Sequence, residues 1–455
     1  MVFTQLHYLG FLATLVLIVG AGLYSGRFVK NESDFSSGGS NASAVMVTGT
    51  FIGTIVGGAA TIGTAQMAFL YGFSSLWFTF GSAMAILIMA LTMAKPLRRS
   101  GHLTLQGVIT DEFGLKTGIL SSVLGTLGIV INVISQIIAS SALLMTIFNL
   151  KPHTAAIITV ALMSVYVLLG GVIGTSLVGA IKSVLLYFTI IAITLVVVLY
   201  DGGIQTITST LDPQQYYHFF ARGFGIDFGG ILSVIVGVVS TQTYAQAFLI
   251  AKDDKTAMRG AYYTALLIPP IGVASMLVGL KMKAMVPDML PVQVFPVFLM
   301  NNLHPVLAGV SLATLLISTL GTGAGLALGG SSVISYSLMK KTPSLMQSRL
   351  ILFLILIVSG LFSFGALGGV ILEWSSLSLA LRGSVVLFPL LAALFLPGRI
   401  KPFFVNLGII ISPVIIVIVK LFWTLSFDPL FIGLAFNLLM LVMGYEKRHM
   451  RSKNE

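Results

Sequence analysis

From Ser183 to Tyr200 the chain carries no ionisable side chain except those of Tyr187 and Tyr200. Wound as a helix at ~1.5 Å per residue, a run of that length crosses the ~30 Å hydrocarbon core of a bilayer. An ordinary surface helix needs a polar face, and this run has none. Similar runs recur along the chain. Charged residues are only 9% of it and hydrophobic ones 56%, where a soluble protein carries about 25% charge. The expected fold class is therefore an all-α polytopic membrane protein. One charge, Lys182, stands at the mouth of the opening run.

A net charge of +11 raises the possibility of nucleic acid, so the placement of the charge decides. The basic residues cluster in short loops between apolar segments: Arg27 and Lys30; Lys95, Arg98 and Arg99; Lys252, Lys255 and Arg259; Lys340, Lys341 and Arg349; Arg399 and Lys401; and the tail "EKRHMRSK". All fall on one side if about thirteen segments are drawn, over 6–26, 43–70, 75–95, 117–148, 154–173, 178–200, 228–250, 260–281, 305–339, 349–372, 376–397, 402–423 and 428–446. By the positive-inside rule that side is the cytoplasm, which puts the N-terminus outside and the C-terminus inside. Lys151, Arg222, Lys281 and Lys283 are the exceptions. The charge is topological, and no nucleic-acid partner or obligate protein partner is expected. The first segment lacks a basic leader and reads as an uncleaved span. The expected location is the cytoplasmic membrane of a prokaryote.

The second segment contains "GTFIGTIVGGAATIGT" and the ninth "STLGTGAGLALGGSS". Glycine in a helix interior costs roughly 0.5–1 kcal/mol against alanine. Either these glycines let helices pack closely, or the helices unwind near the midplane and free carbonyls for a cation. Gly321-x-Gly323 is no nucleotide loop, since no strand precedes it. With zero cysteines and scattered histidines there is no catalytic or metal cluster, so neither an enzyme nor an organic cofactor is expected. Segments 2–6 and 7–11 form two five-helix units that begin on opposite sides, which makes any repeat an inverted one. The chain divides accordingly: 1–42, an extra helix and loop; 43–200, the first unit; 201–227, an external loop; 228–397, the second unit; 398–455, two helices and a basic tail.

"STQTYAQAFLIAKDDKTAMRGA" (240–261) resembles the helix-to-loop signature of the sodium:solute symporter family through Gln242, Gln246, Ala251, Lys252, Ala257 and Gly260, with Ala247 in place of the usual arginine. "ESDFSSGGSN", "GGVIGTSLVGAIKSVLL" and "LHPVLAGVSLATLLISTLGTGAG" resemble further family stretches in the right order. The resemblance implies a leucine-transporter-like fold: a five-plus-five inverted repeat with one helix before it and two after. It implies alternating-access, cation-coupled symport of a small organic solute, with Na+ as coupling ion. The family's sodium carbonyls fall on Gly53 and Val56; those of the ninth segment, a carbonyl and two hydroxyls, fall on Ser318, Gly321 and Thr322. One hydroxyl is thus missing, unless a slipped alignment uses Ser318 and Thr319. The family's acid in the sixth segment falls on Gly179 and its glutamine on Lys182.

The implied substrate cavity is lined by Thr61, Thr64, Asn132, Gln136, Gly237 and Gln242. Its facing stretch "SVIVGVV" is apolar, which suits a small, partly apolar solute or a small organic anion. Arg382 lies about six residues into its segment, ~9 Å. It is expected either to pair with Glu373 as an outer gate or to snorkel to the surface. Lys182 likewise either snorkels or turns inward to Ser318 and Thr322. Turned inward, it replaces sodium by a fixed charge, and the carrier is proton-coupled or sodium-independent. A channel or transport-fold receptor is the other class, and the absence of a continuous polar lining speaks against a pore.

Overall fold

The computed structural model describes residues 3–27, 41–200, 202–338, 343–367, 369–423 and 425–446. The stretch "ESDFSSGGS" (32–40), the basic residues Lys30, Lys340 and Lys341, and the tail beyond Glu446 lie outside them. Apart from two isolated β-bridges, regular structure among the described residues is helical. The first long helix, α1, is Gln5–Gly26. Then come α2 Ala44–Ile55, α3 Thr64–Tyr71, α4 Trp77–Ile88, α5 Ala94–Arg99, α6 Leu105–Phe113, α7 Leu115–Phe148 and α8 Pro152–Leu199. After short helices α9 Gly203–Thr210 and α10 Pro213–Tyr216 follow α11 Phe224–Val239, α12 Gln242–Leu249 and α13 Asp254–Met285. The chain continues with α14 Val294–Asn302, α15 Pro305–Leu338, α16 Leu345–Ser363, α17 Ile371–Phe395, α18 Pro402–Phe422 and α19 Leu430–Met443.

Nine helices are long and apolar enough to cross a membrane among the described residues, ten when the bent pair α11 and α12 is taken as one span. Thirteen segments were expected. The difference lies in the short pieces: α2, Pro152–Tyr166 and α19 are apolar but brief. Ala59–Arg99 counts once by length and composition, yet the expected break between 70 and 75 is there: α3 ends at Tyr71, Gly72 takes φ +64°, and a 3-10 turn, Gly72–Leu76, leads into α4. No loop parts 154–173 from 178–200, since α8 is assigned helical throughout. No proline stands between Gly170 and Ser176 to end it, and glycine weakens a helix without terminating it.

Two breaks organise the bundle. The first is Val56–Gly58, where Val56 leaves helical geometry (φ −84°, ψ 84°) and a π-turn, Ala59–Gly63, restarts the helix. A side chain added at Gly57 would stand 2.5 Å from Gln136 Oε1 and 2.6 Å from Thr322 Oγ1, so only glycine fits where these helices meet. The second break is at Ser240–Thr241, where α11 and α12 meet at 50°. Glycine density points to the ninth segment instead, yet α15 is unbroken. Its Gly323 packs on Met163 and its Gly329 on Thr243, so there the glycines serve close packing.

The end of the bundle that carries Arg98 and Lys252 is tightly tied. Arg98 donates to Asp254 Oδ1 (2.8 Å) and to the carbonyls of Phe248 and Ala251 (both 2.7 Å). Asp253 caps α13 by accepting the Thr256 N–H at 2.7 Å, which holds its carboxyl below the usual carboxylate range. At the opposite end the buried Lys281 donates to the carbonyls of Tyr200 (3.1 Å) and Gly203 (3.2 Å), a cation where the C-terminal carbonyls of α8 gather.

Candidate functional site

Lys182 is fully buried and its stem reaches across the bundle. Nζ donates to Gly53 O at 2.9 Å, to Ser318 O at 3.2 Å and to Thr322 Oγ1 at 3.4 Å. An ammonium has three donors, and here each meets one oxygen. The first oxygen is available because the helix ends at Ile55. The other two come from one face of α15, at i and i+4. Ser318 Oγ donates to Val56 O (2.7 Å) and Thr322 Oγ1 to Gly53 O (3.2 Å), so α2 and α15 are stitched together around the ammonium. The ion pairs among the described residues do not include Lys182.

Gly321 faces away from this cluster, its missing side chain 3.0 Å from the hydroxyl of Tyr166. Thr319 accepts from Ser140 (2.6 Å) and donates to Leu316 O (2.7 Å), which places it on α7 and not beside Gly53. Gly179, where the family's acid would stand, lies against α2: a side-chain carbon there would be 2.2 Å from Gly49 O.

Of the cavity residues, Gln136 is committed to the first break. Its Oε1 accepts the Gly58 N–H at 2.8 Å, and its Nε2 donates to Ser135 Oγ (3.2 Å) and Asn132 Oδ1 (3.4 Å). Thr61 donates to Gly57 O (2.8 Å) and Thr64 to Ala59 O (3.0 Å), both within their own helical stretch. Leu379 fills the space beside Gly237. Gln242 lies elsewhere, its Oε1 accepting the Leu105 N–H (2.8 Å) and its Nε2 donating to Leu103 O (3.0 Å). These bonds seal α6 against the bundle.

Glu373 and Arg382 are not brought together. They lie on one helix, ~13 Å apart along its axis. Glu373 lines a cavity of about 450 Å³ with Met67, Trp77, Arg222, Lys420 and Asp428. Arg382 is 1% exposed and does not reach a surface. Because α17 starts at Ile371, well before the expected 376, the arginine is ~16 Å into its helix, near the middle of a bilayer. Nη1 donates to Thr241 Oγ1 at 2.7 Å and Nε to Ser378 O at 3.2 Å, with Tyr244 beside the guanidinium. Sequence reasoning passed over Thr241 and Tyr244. The signal was a polar Ser-Thr pair directly after the apolar "SVIVGVV".

A helical bundle broken at two points, at 56–58 and at 240–241, has counterparts among solved transporters. A Na+-coupled sialic acid symporter in its substrate-bound, outward-open state superposes with a TM-score of 0.82 at 18% identity, over 97% of both chains. A nucleobase-cation-symport-1 family transporter in a closed conformation gives 0.58 at 12% identity, over 91% of this chain and 94% of that one. The Eremococcus coleocola manganese transporter gives 0.54 at 15%, over 91% and 97%. These likenesses establish the fold. The model of the sodium:solute symporter family matches residues 35–399, and the chain belongs to that family. It is a family of transporters and not of enzymes. An uncharacterized symporter of Bacillus subtilis (strain 168), YwcA, is 26% identical over 292 residues; the match spans 61% of this chain and 56% of that relative.

Proposed function

We propose that the chain is a secondary carrier for a small organic anion, in which the Lys182 ammonium stands where the family's coupling sodium would bind. The observation that carries this reading is the set of three bonds from Lys182 Nζ to Gly53, Ser318 and Thr322. Sodium asks for hard oxygen ligands, and Gly53 O, Ser318 O and Thr322 Oγ1 are such oxygens, already engaged. A sodium ion on the same carbonyls would stand within about 4 Å of the ammonium, a repulsion of roughly 4 kcal/mol at an effective dielectric of about 20. That is close to a thousandfold in affinity, more than one hydroxyl ligand could restore. With sodium disfavoured at these oxygens, the carrier is proton-coupled or sodium-independent, and no organic cofactor is needed. Sodium coupling is the second reading, favoured by the family match over residues 35–399.

In this reading the chain crosses the cytoplasmic membrane of a prokaryote thirteen times, each broken helix counting as one span and the Pro152–Tyr166 and Ser176–Leu199 parts of α8 as two. Residues 43–200 and 228–397 are the two inverted units. The end with Arg98 and Lys252 faces the cytoplasm. Cysteine introduced at Lys252 should label only from the inside in right-side-out and inverted vesicles; the chain has no native cysteine to confuse the assay. Labelling from outside would reverse the topology.

The ion itself is tested on purified protein. Replacing choline chloride by sodium chloride at constant ionic strength should leave the thermal midpoint of the wild type unchanged. Stabilisation that saturates with sodium would return the chain to the sodium-coupled reading.

A further inference from the structure

Besides Lys182 and Lys281, the bundle buries a further cation, and this one has no ion-pair partner among the described residues. Arg382 is 1% exposed, and the ion pairs among the described residues do not include it. Two of its nitrogens are bonded, to Thr241 Oγ1 and Ser378 O, and the Tyr244 hydroxyl stands beside the guanidinium, while Nη2 itself has no partner at hydrogen-bond geometry. A buried charge left uncompensated costs several kcal/mol. Lys182, by contrast, has an oxygen for each donor, so the two cations are not equivalent.

The guanidinium lies against a helix N-terminus. Thr241 is the N-cap of α12, and no side chain caps that helix end. The reason is local: Thr241 Oγ1 donates back to Gly237 O and accepts from Arg382, so it is turned away from the N–H groups it would ordinarily serve. Ser240 Oγ, next to it, is also buried and without a partner. An uncapped helix N-terminus attracts anions, and a free guanidinium edge beside it supplies charge and direction. The walls nearby are apolar: Leu379 packs into Gly237 and Val236 into Gly383.

We infer that Arg382 Nη2 and the N-terminus of α12 form the carboxylate subsite of the carrier proposed above, on whose transport reading this inference rests. The occupant is a monocarboxylate with an apolar body. The apolar neighbours named above, Leu379 and Val236, offer a second carboxylate no cation. Arg382 then acts as the specificity-determining residue within the bundle and not as an outer gate with Glu373. Release toward the end with Arg98 then requires α6, which packs on α7 and α17, to give up the bond from Leu105 N–H to Gln242, and Leu103 just before it to give up the bond from Gln242.

The test compares acids with amides of matched shape on purified full-length protein: butyrate against butyramide, and phenylacetate against phenylacetamide, by titration calorimetry at constant ionic strength. The acid of at least one pair should bind at least tenfold more tightly than its amide. Arg382→Gln should erase that preference and Arg382→Lys should keep part of it. Gly128→Ala provides a check that leaves the charge in place, because the added methyl would stand 2.6 Å from Arg382 Cγ and push the guanidinium aside; it too should weaken the acid and spare the amide. The absence of acid preference in both pairs, or its persistence in Arg382→Gln, overturns the inference. The sodium response of the wild type and of Lys182 variants is independent of this outcome, so the two readings fail separately.

Discussion

Replacing Lys182 with alanine is expected to lower the thermal midpoint in choline and to let sodium raise it again. The substitution removes the donor to Gly53 O, Ser318 O and Thr322 Oγ1 and the stem that fills the space between α2, α8 and α15. Gly53 O keeps the Thr322 hydroxyl (3.2 Å) and Val56 O keeps Ser318 Oγ (2.7 Å), so the oxygens stay near their present places. What the oxygens lose is a charged donor, and a hydrogen bond to a charged group is worth about 1.5–3 kcal/mol. A sodium ion offsets that loss, and at a hundred times its Kd contributes about 2.7 kcal/mol of stability. Lys182→Met separates charge from volume: it fills the stem's space, offers no donor and should gain little from sodium. If Lys182→Ala shows no more sodium response than the wild type, the oxygens around Nζ are not a latent cation site. The proposal for Lys182 then falls.

What the sequence makes legible here follows from how local the signal is. Lys182 meets Gly53, Ser318 and Thr322 because three motifs, each holding its own register, converge on one point, and register survives in sequence. The first break is legible from clustered glycines at 57 and 58. The second is not, because Ser240 and Thr241 are ordinary helix-compatible residues. The chain bends there for tertiary reasons, with Thr241 Oγ1 engaged by Gly237 O and Arg382. Glycine density misleads in α15, where the same residue type answers a neighbour's volume and not a change of backbone path. The depth of Arg382 depends on where α17 begins, and an apolar stretch such as Val370–Leu372 gives no sign of its own boundary. A shift of a few residues carries the guanidinium from ~9 Å to ~16 Å into its helix. The count of crossings fails for the same reason, since hydropathy marks apolar length and not the points where a helix turns.

Gly179→Asp is expected to remove monodisperse protein altogether, although the sodium:solute symporter resemblance puts an acid at this position. The carbon of any side chain at 179 would lie 2.2 Å from Gly49 O, 3.0 Å from Gly49 C and 3.1 Å from the Cα of Gly53. Each of these atoms is backbone of α2, so no rotamer change relieves the contact, and the helices must part. Gly49 faces the same approach from the other side, 2.8 Å from Ser176 O. Alanine at 179 should therefore already cost about 1–3 kcal/mol as an overpacked contact. Aspartate adds the burial of a carboxylate against a carbonyl oxygen, which repels it. Nearby Lys182 could pair with that carboxylate only by leaving Gly53, Ser318 and Thr322. The absent acid and the present lysine are thus linked: the close approach that Gly179 permits is what brings Gly53 O within 2.9 Å of Nζ. Size-exclusion profiles and thermal midpoints of Gly179→Ala and Gly179→Asp measure this directly. A Gly179→Ala protein as stable as the wild type would show that α2 and α8 separate freely, and the distance from Gly53 to Lys182 would then have to be set by α15 alone.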